Sequence, residues 1–391
     1  MEHGELATFL LAFASALLGA KVLGELSERI GQPPVLGELL AGVLLGPSLL
    51  GLVPLSSGIL LIAEIGVLLL LFEVGLETDL GELLRVGGPA MTVAIVGMAL
   101  PFAGGYALTR MAGFTTLTAI FVGAALTATS IGISSRVLSD LGLLTSREGQ
   151  IILGAAVADD VLGLVVLAVV SQIAATGSVG MWEAGKAAVL SFAFLFLAIV
   201  LGIPLGRLLV RVVGRASVRG ILITVSVAFA LLAALGAQTA GSAAIVGAFA
   251  AGLVLARTNR GRDIETSIRP VVDVFAPVFF VSIGAQVDVL YLNPAVPANR
   301  PALLLALGLI AVGTLGKFAA GYAAWGGVRR SFIGAGMIPR GEVGLIFAQI
   351  GRQNGALPEP AFIAVVLAVF ATTFLTPPLL KALRPAAARP A

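Results

Sequence analysis

Long apolar runs follow one another along nearly the whole chain, separated only by short charged or Gly/Pro-rich breaks. A run of about 18 apolar residues is enough to cross the hydrocarbon core of a bilayer as a helix. The backbone of such a segment must satisfy its own hydrogen bonds, which a helix does. Thirteen runs can be drawn: 5–25, 34–51, 58–76, 87–109, 116–138, 150–174, 185–213, 219–236, 240–256, 268–286, 301–326, 330–351 and 360–380. They predict an all-α integral membrane protein. No polar stretch is long enough to fold alone, so residues 1–391 form a single membrane domain. The runs at 34–51 and 240–256 are the shortest in apolar content and are rich in glycine.

The basic residues test this topology. If alternate loops lie on opposite sides of the membrane, one side holds 18 Lys and Arg residues and the other holds four, Arg110, Lys186, Arg300 and Arg352. Basic loops face the cytoplasm. The asymmetry puts the N-terminus outside and the C-terminus in the cytoplasm, in a multi-pass protein of the inner cell membrane. It also disposes of a nucleic-acid partner, which the net charge of +3 would otherwise suggest. The opening MEHGELATFL lacks the basic region of a secretory signal and reads as mature sequence. Cysteine is absent and His3 is the only histidine. That excludes disulfides, thiolate zinc sites, histidine-ligated haem and histidine-based catalysis within the chain, and no cofactor is expected.

Two charges of the basic set fall inside spans, Lys317 and Arg340, and two carboxylates stand side by side in another, Asp159 and Asp160 in GAAVADDVLGLVVLAVV. An ionised side chain at mid-bilayer costs at least about 2.5 kcal/mol, and such residues usually mark an ion or proton path. Adjacent residues point about 100° apart on a helix. One aspartate can therefore pair with a fixed charge while the other faces water, and Lys317 is the natural partner, since a buried lysine needs an anion. A purely structural Asp–Lys pair would explain one aspartate and leave the second without a role.

An odd number of crossings suggests two halves of six joined by a connector, here 185–213. The first half then starts outside and the second inside, which makes them inverted copies. Transporters of that construction place broken helices at matching positions and their site between them. The fifth run of the first half carries Thr127, Ala128, Thr129, Ser130 and Gly132 at its centre, and its counterpart carries Pro339 and Gly341. Proline removes a backbone donor, and hydroxyl side chains offer the backbone other partners. Carbonyls freed there can coordinate a cation. The alternative is that the hydroxyls only bond the preceding turn. At 1.5 Å per residue, Asp159, Lys317, Thr129 and Pro339 all lie roughly 13 Å from the cytoplasmic ends of their spans. Arg340 and Glu342 flank the second break, where they either neutralise half-helix ends or pair locally. Glu38, Glu73 and Asp273 lie near cytoplasmic span ends, where snorkelling or interfacial pairing is expected. Glu64 has no assigned role. Gly42 and Gly46 form a G-x-x-x-G that suits close helix packing, including a dimer contact.

The motifs PPVLGELLAGVLLGP (33–47), LLLLFEVGLE (68–77), ALTATSIGISSRVL (125–138), ILGAAVADDVLGLVVLAVV (152–170), LGKFAAG (315–321) and GMIPRGEVGLI (336–346) together resemble bacterial Na⁺/H⁺ antiporters of the cation/proton antiporter superfamily. The likeness is to the NapA-like group and more distantly to the NhaA-like one. It implies the NhaA-like fold, with two broken crossing helices. An ion-translocating core of 87–174 and 301–380 would pack against a dimerisation panel of 5–76 and 219–286. It further implies that Asp160 binds the cation, the Na⁺ ligand of the set, that Asp159 pairs with Lys317, and that Thr129 and Ser130 lie beside the ion. An Asp-Asp pair with a lysine is similar to the electrogenic type. Ser130 departs from the NhaA branch, which has an aspartate there, and Glu342 is then a candidate for the balancing anion.

The resemblance predicts a homodimer that exports Na⁺ or Li⁺ in exchange for H⁺ by alternating access and serves pH homeostasis, a transporter and not an enzyme. K⁺/H⁺ exchange on the same fold, a sodium-coupled organic-anion carrier and a passive channel are the transport alternatives. An intramembrane aspartyl protease is the alternative from another class. It needs two carboxylates close enough to share a proton, and neighbours on one helix diverge.

Overall fold

The computed structural model describes residues 3–77, 87–144, 146–176, 197, 200–211, 220–240 and 244–384. Among them the chain is helical throughout, with no strand. The helices are α1 (His3–Arg29), α2 (Pro34–Leu45), α3 (Ser57–Glu77), α4 (Gly88–Met111), α5 (Thr116–Ala125), α6 (Ile131–Asp140), α7 (Arg147–Thr176), α8 (Ile221–Thr239), α9 (Ala244–Ala256), α10 (Gly261–Ala285), α11 (Arg300–Ala320), α12 (Arg330–Gly336), α13 (Glu342–Gln353) and α14 (Glu359–Ala382). Eight of these are long and apolar enough to cross a membrane, and α2, α5 and α9 are shorter apolar helices. The expected connector at 185–213 lies largely outside the described residues; 200–211 are helical.

Apolar runs and helices differ in ways that have local causes. Hydropathy marks the lipid-facing length, whereas backbone hydrogen bonding runs on into charged turns, so α10 begins at Gly261 and not at 268. Conversely, α2 stops at Leu45 although the apolar run continues to 51. Pro47 has no N–H to carry the helix on, and the following turn needs a left-handed residue, Gly51 at φ +64°. The run 116–138 is two helices, α5 and α6, and 330–351 is likewise α12 and α13.

The chain falls into two compact units. One comprises Met1–Arg29, Pro34–Asp79 and Gly180–Asp288, and so holds α1 to α3 and α8 to α10. Its helices meet backbone to backbone at glycines. A Cβ on Gly42 of α2 would overlap the Val281 carbonyl of α10 and lie 2.8 Å from the Ala285 nitrogen. Gly284 answers from α10, where a Cβ would overlap the Leu39 carbonyl. Gly252 of α9 and Gly75 of α3 make the same reciprocal contact. Gly42 and Gly46 are thus consumed by α10 of the same chain, which corrects the dimer-contact reading of that motif. Without a hydrophobic driving force between helices in lipid, such close approach is what holds them together.

The second unit comprises Ile30–Pro33, Leu80–Val179 and Val289–Ala391, and holds α4 to α7 and α11 to α14. Its apolar core includes Val93, Leu138, Ile152, Ala155, Phe332 and Met337. Every residue singled out above for the aspartate pair, its lysine and the two breaks belongs to this unit.

Candidate functional site

The site is built on α7, which carries both aspartates. Asp159 has no exposed surface, and Asp160 keeps 9% of its own. Asp159 Oδ2 accepts two hydrogen bonds, from Lys317 Nζ at 2.5 Å and from Thr129 Oγ1 at 2.7 Å. Its Oδ1 is buried and takes no hydrogen bond among the described residues. Lys317 comes from α11 and is also fully buried. Gly97 of α4 makes room for its ammonium, since a Cβ there would lie 3.4 Å from Nζ. Removing either member of such a pair strands the other charge in an apolar interior, a loss of about 3–5 kcal/mol.

One turn further along α7, Gly163 presents the helix to the first break and to the start of α13. A Cβ on it would stand 3.8 Å from the side chains of Ala128 and Val343. The breaks themselves, 126–130 and 337–341, touch where the Ser130 N–H donates to the Pro339 carbonyl at 2.9 Å. Proline cannot return that bond, so this contact has only one arm. Gly341 keeps the approach tight, because a Cβ there would lie 2.7 Å from Ser130 Oγ.

Interrupting two helices leaves terminal carbonyls without intrahelical partners, and the two breaks satisfy theirs by different means. On the α12 side the donors are hydroxyls. Ser134 Oγ donates to the Gly336 carbonyl at 2.7 Å, Thr129 Oγ1 lies 3.3 Å from the Met337 carbonyl, and Thr373 Oγ1 of α14 bonds the Arg340 carbonyl. On the α5 side the donor is a charge. Arg340 is fully buried, and its Nη1 donates to the carbonyls of Ala128 at 3.0 Å and Thr127 at 3.4 Å. Its Nη2 reaches the Gly313 carbonyl of α11 at 3.3 Å. A cation beside the carbonyl end of a half-helix opposes the partial negative charge gathered there.

The structure therefore brings together Asp159, Lys317, Thr129, Ser130 and Arg340. The side chain of Glu342 lies outside the described residues, so its expected role as balancing anion stays an expectation. Glu73 lies 3.6 Å from Arg269, which also bonds Glu77 and Glu265. Glu64 is exposed on α3. Glu38 corrects the snorkelling expectation: it is buried on α2, where Gly24 of α1 leaves space for its side chain. Sequence reasoning missed Ser134, Thr373, Gly97 and Gly313. The signal for the hydroxyls was present, since a buried Ser or Thr in an apolar span needs an acceptor, but nothing in the sequence says which carbonyl it takes.

With this geometry in view, the comparisons with known proteins are specific. Residues 13–383 match the transmembrane sodium/hydrogen exchanger family, and the chain belongs to it. The high-affinity Na⁺/H⁺ antiporter NhaS3 of Synechocystis is 42% identical over 96% of this chain and 90% of its own length. The Na⁺/H⁺-K⁺ antiporter GerN of Bacillus cereus is 37% identical over 95% of both chains. Among solved structures, the sodium proton antiporter MjNhaP1 of Methanocaldococcus jannaschii superposes with a TM-score of 0.73 over 97% of this chain and 100% of that one. At 18% identity, that likeness speaks for the fold.

Proposed function

We propose that this membrane protein is a monovalent cation/proton antiporter, exporting Na⁺ or Li⁺ in exchange for H⁺, and that Asp160 is the carboxylate that holds cation and proton in turn. The observation that carries the assignment is the division of labour on α7. Asp159 is sealed and tied to Lys317 and Thr129, while its neighbour Asp160 keeps an exposed edge. Na⁺ is a hard cation that takes oxygen ligands. The Asp160 carboxylate supplies charge, and the hydroxyls and backbone oxygens of the two breaks, Thr129 and Ser130 among them, supply neutral oxygens close by. A carboxylate that takes either a proton or a cation, and not both, makes transport an exchange. The family and the two named relatives support the same reading.

The finer parts of the proposal rest on sequence pattern and resemblance. Thirteen crossings form two inverted halves, with the N-terminus outside and the C-terminus in the cytoplasm of the inner membrane. The reciprocal glycine contacts of α2 with α10 and of α9 with α3 support such an internal repeat. The unit holding the aspartates is the moving core, and the other unit is the panel through which two copies dimerise. Exchange is electrogenic, with Lys317 or Asp159 changing protonation during the cycle, and contributes to pH homeostasis. K⁺/H⁺ exchange is the second reading, favoured by the likeness to GerN. The protease reading has no support, since Asp159 is committed to a lysine.

The test is ion-driven pH change in sealed proteoliposomes, comparing Na⁺, Li⁺ and K⁺. Wild type responds to Na⁺ and Li⁺, and Asp160→Asn does not respond. Full activity of Asp160→Asn would remove Asp160 from the site, and a response to K⁺ alone would replace the Na⁺ assignment.

A further inference from the structure

One end of the unit that carries the aspartates gathers cations that form no ion pair among the described residues. Arg147 opens α7, Arg329 and Arg330 open α12, and Lys381 lies in the last turn of α14; all four are exposed. The Arg147 guanidinium lies directly over Gly326, where a Cβ would overlap it. Arg330 Nε donates to the Ala324 carbonyl at 3.0 Å, and Arg329 Nη1 donates to the Arg384 carbonyl at 3.0 Å. The segment 324–330 thus carries Arg329 and Arg330 and lies under the Arg147 guanidinium. Glu148, the carboxylate in this group, gives its Oε1 to the backbone N–H of Arg329 at 3.0 Å. None of Arg147, Arg329, Arg330 and Lys381 forms an ion pair among the described residues. Four arginines elsewhere do pair: Arg29 with Glu25, Arg260 with Asp263, Arg269 with Glu77 and Glu265, and Arg352 with Glu359.

Trp325 of this segment and Tyr322 just before it are 48% and 54% exposed. Amphipathic aromatic rings of this kind settle at the headgroup level of a bilayer. Unpaired guanidinium groups beside such rings stand where lipid phosphates lie, and arginine binds phosphate through two parallel N–H donors. We infer that Arg147, Arg329 and Arg330 form a site for the headgroup of an anionic phospholipid. The site joins the starts of α7, which bears both aspartates, and of α12, whose far end meets Thr129. A bound lipid would therefore brace the two helices that position the transport site. This goes beyond the transport reading and is measured without transport.

The experiment is native mass spectrometry of the full chain in detergent, titrated with phosphatidylglycerol or phosphatidylcholine. Wild type retains phosphatidylglycerol in preference to phosphatidylcholine. Each basic residue near an anionic headgroup contributes about fivefold, so the triple variant Arg147→Gln/Arg329→Gln/Arg330→Gln binds phosphatidylglycerol about a hundredfold more weakly. Its phosphatidylcholine adducts are unchanged. Should the triple variant misfold, Arg147→Gln alone decides the matter: its side chain makes no hydrogen bond among the described residues, and its loss costs about fivefold. Equal retention of both lipids by wild type, or wild-type retention of phosphatidylglycerol by these variants, overturns the site. Displacement of the lipid by inorganic phosphate or by a polyglutamate peptide at equal concentration would assign the cluster to a soluble anion or to an acidic protein segment, and would likewise overturn the lipid assignment.

Discussion

Replacing Lys317 by glutamine removes the charge opposite Asp159 while keeping a polar side chain in place. Both residues are fully buried and 2.5 Å apart, so the aspartate that remains has no solvent to fall back on. Thr129 still donates to it, but a single hydroxyl does not replace a cation. Breaking a buried pair from one side costs about 3–5 kcal/mol, a shift of roughly two to three and a half decades in the folding equilibrium. The double variant Asp159→Asn/Lys317→Gln carries neither charge. It should melt close to wild type with little pH dependence, as paired removal of buried ions is often neutral. Thermal melts of the four proteins in one detergent, at several pH values, form a double-mutant cycle. If the effects of Asp159→Asn and Lys317→Gln simply add in the double variant at every pH, the two side chains are not energetically coupled and the site geometry argued above is wrong.

Other substitutions probe the surrounding contacts. Thr129→Val keeps the shape and deletes the hydroxyl that reaches Asp159, a hydrogen bond to a charged group contributing about 1.5–3 kcal/mol; Thr129→Ser should recover most of the melting midpoint, and failure to do so would mean the methyl group matters more than the hydroxyl. Arg340→Met leaves the carbonyls of Thr127, Ala128 and Gly313 without this donor, at about 1–3 kcal/mol for each one left unsatisfied, and should abolish exchange in proteoliposomes; retained activity would show that the α5 end needs no fixed cation. Gly42→Val drives a side chain into the Val281 carbonyl and should destabilise the fold by more than the usual ~1–3 kcal/mol of overpacking, whereas Gly236→Ala, with open space around it, should stabilise by about 0.4–1 kcal/mol; melting midpoints report both.

Much of the helical layout is legible in the sequence because lipid imposes a simple rule: an apolar run of sufficient length must be helical, and α1, α3, α4, α7, α8, α10, α11 and α14 follow it. The interruptions are legible for a related reason. A proline, or a cluster of Thr, Ser and Gly, has no packing purpose at mid-bilayer, so Thr127–Gly132 and Pro339–Gly341 stand out in apolar surroundings. What the sequence withholds is pairing. Helical geometry says that Asp159 and Asp160 diverge, but not which of them turns to Lys317; that depends on how α7 and α11 are rotated, and thus on contacts such as Gly97 against Lys317. The same limit explains Gly42. Its spacing announces close packing, and the partner, α10 of the same chain, comes from more than 230 positions away. Glu38 was misjudged because depth along a span says nothing about the face a side chain occupies.

The unequal treatment of the two breaks bears on mechanism. Counted as ionised, Asp159, Asp160, Lys317 and Arg340 sum to zero charge, so a cation arriving among them adds a full charge to a low-dielectric interior. That is expensive, and something positive has to leave. Arg340 is not the group that leaves: a guanidinium keeps its charge in proteins, and this one is held by three carbonyls. The hydroxyls of Ser134, Thr129 and Thr373 carry no charge to release. With both carboxylates ionised, the group among these that still holds a proton to release is the Lys317 ammonium, a compact charge on a flexible stem whose proton is lost far more readily than that of arginine; a carboxyl releases one where it was protonated before the cation arrived. On the site proposed above, exchange in place of uptake would follow from which groups are fixed and which can titrate. An Arg at position 317 sharpens the point. Lys317→Arg should hold Asp159 and fold, yet lose whatever part of the proton count the lysine supplies; measured against membrane potential in proteoliposomes, its cation-to-proton ratio should move towards one, and an unchanged ratio would leave the aspartates as the sole proton carriers.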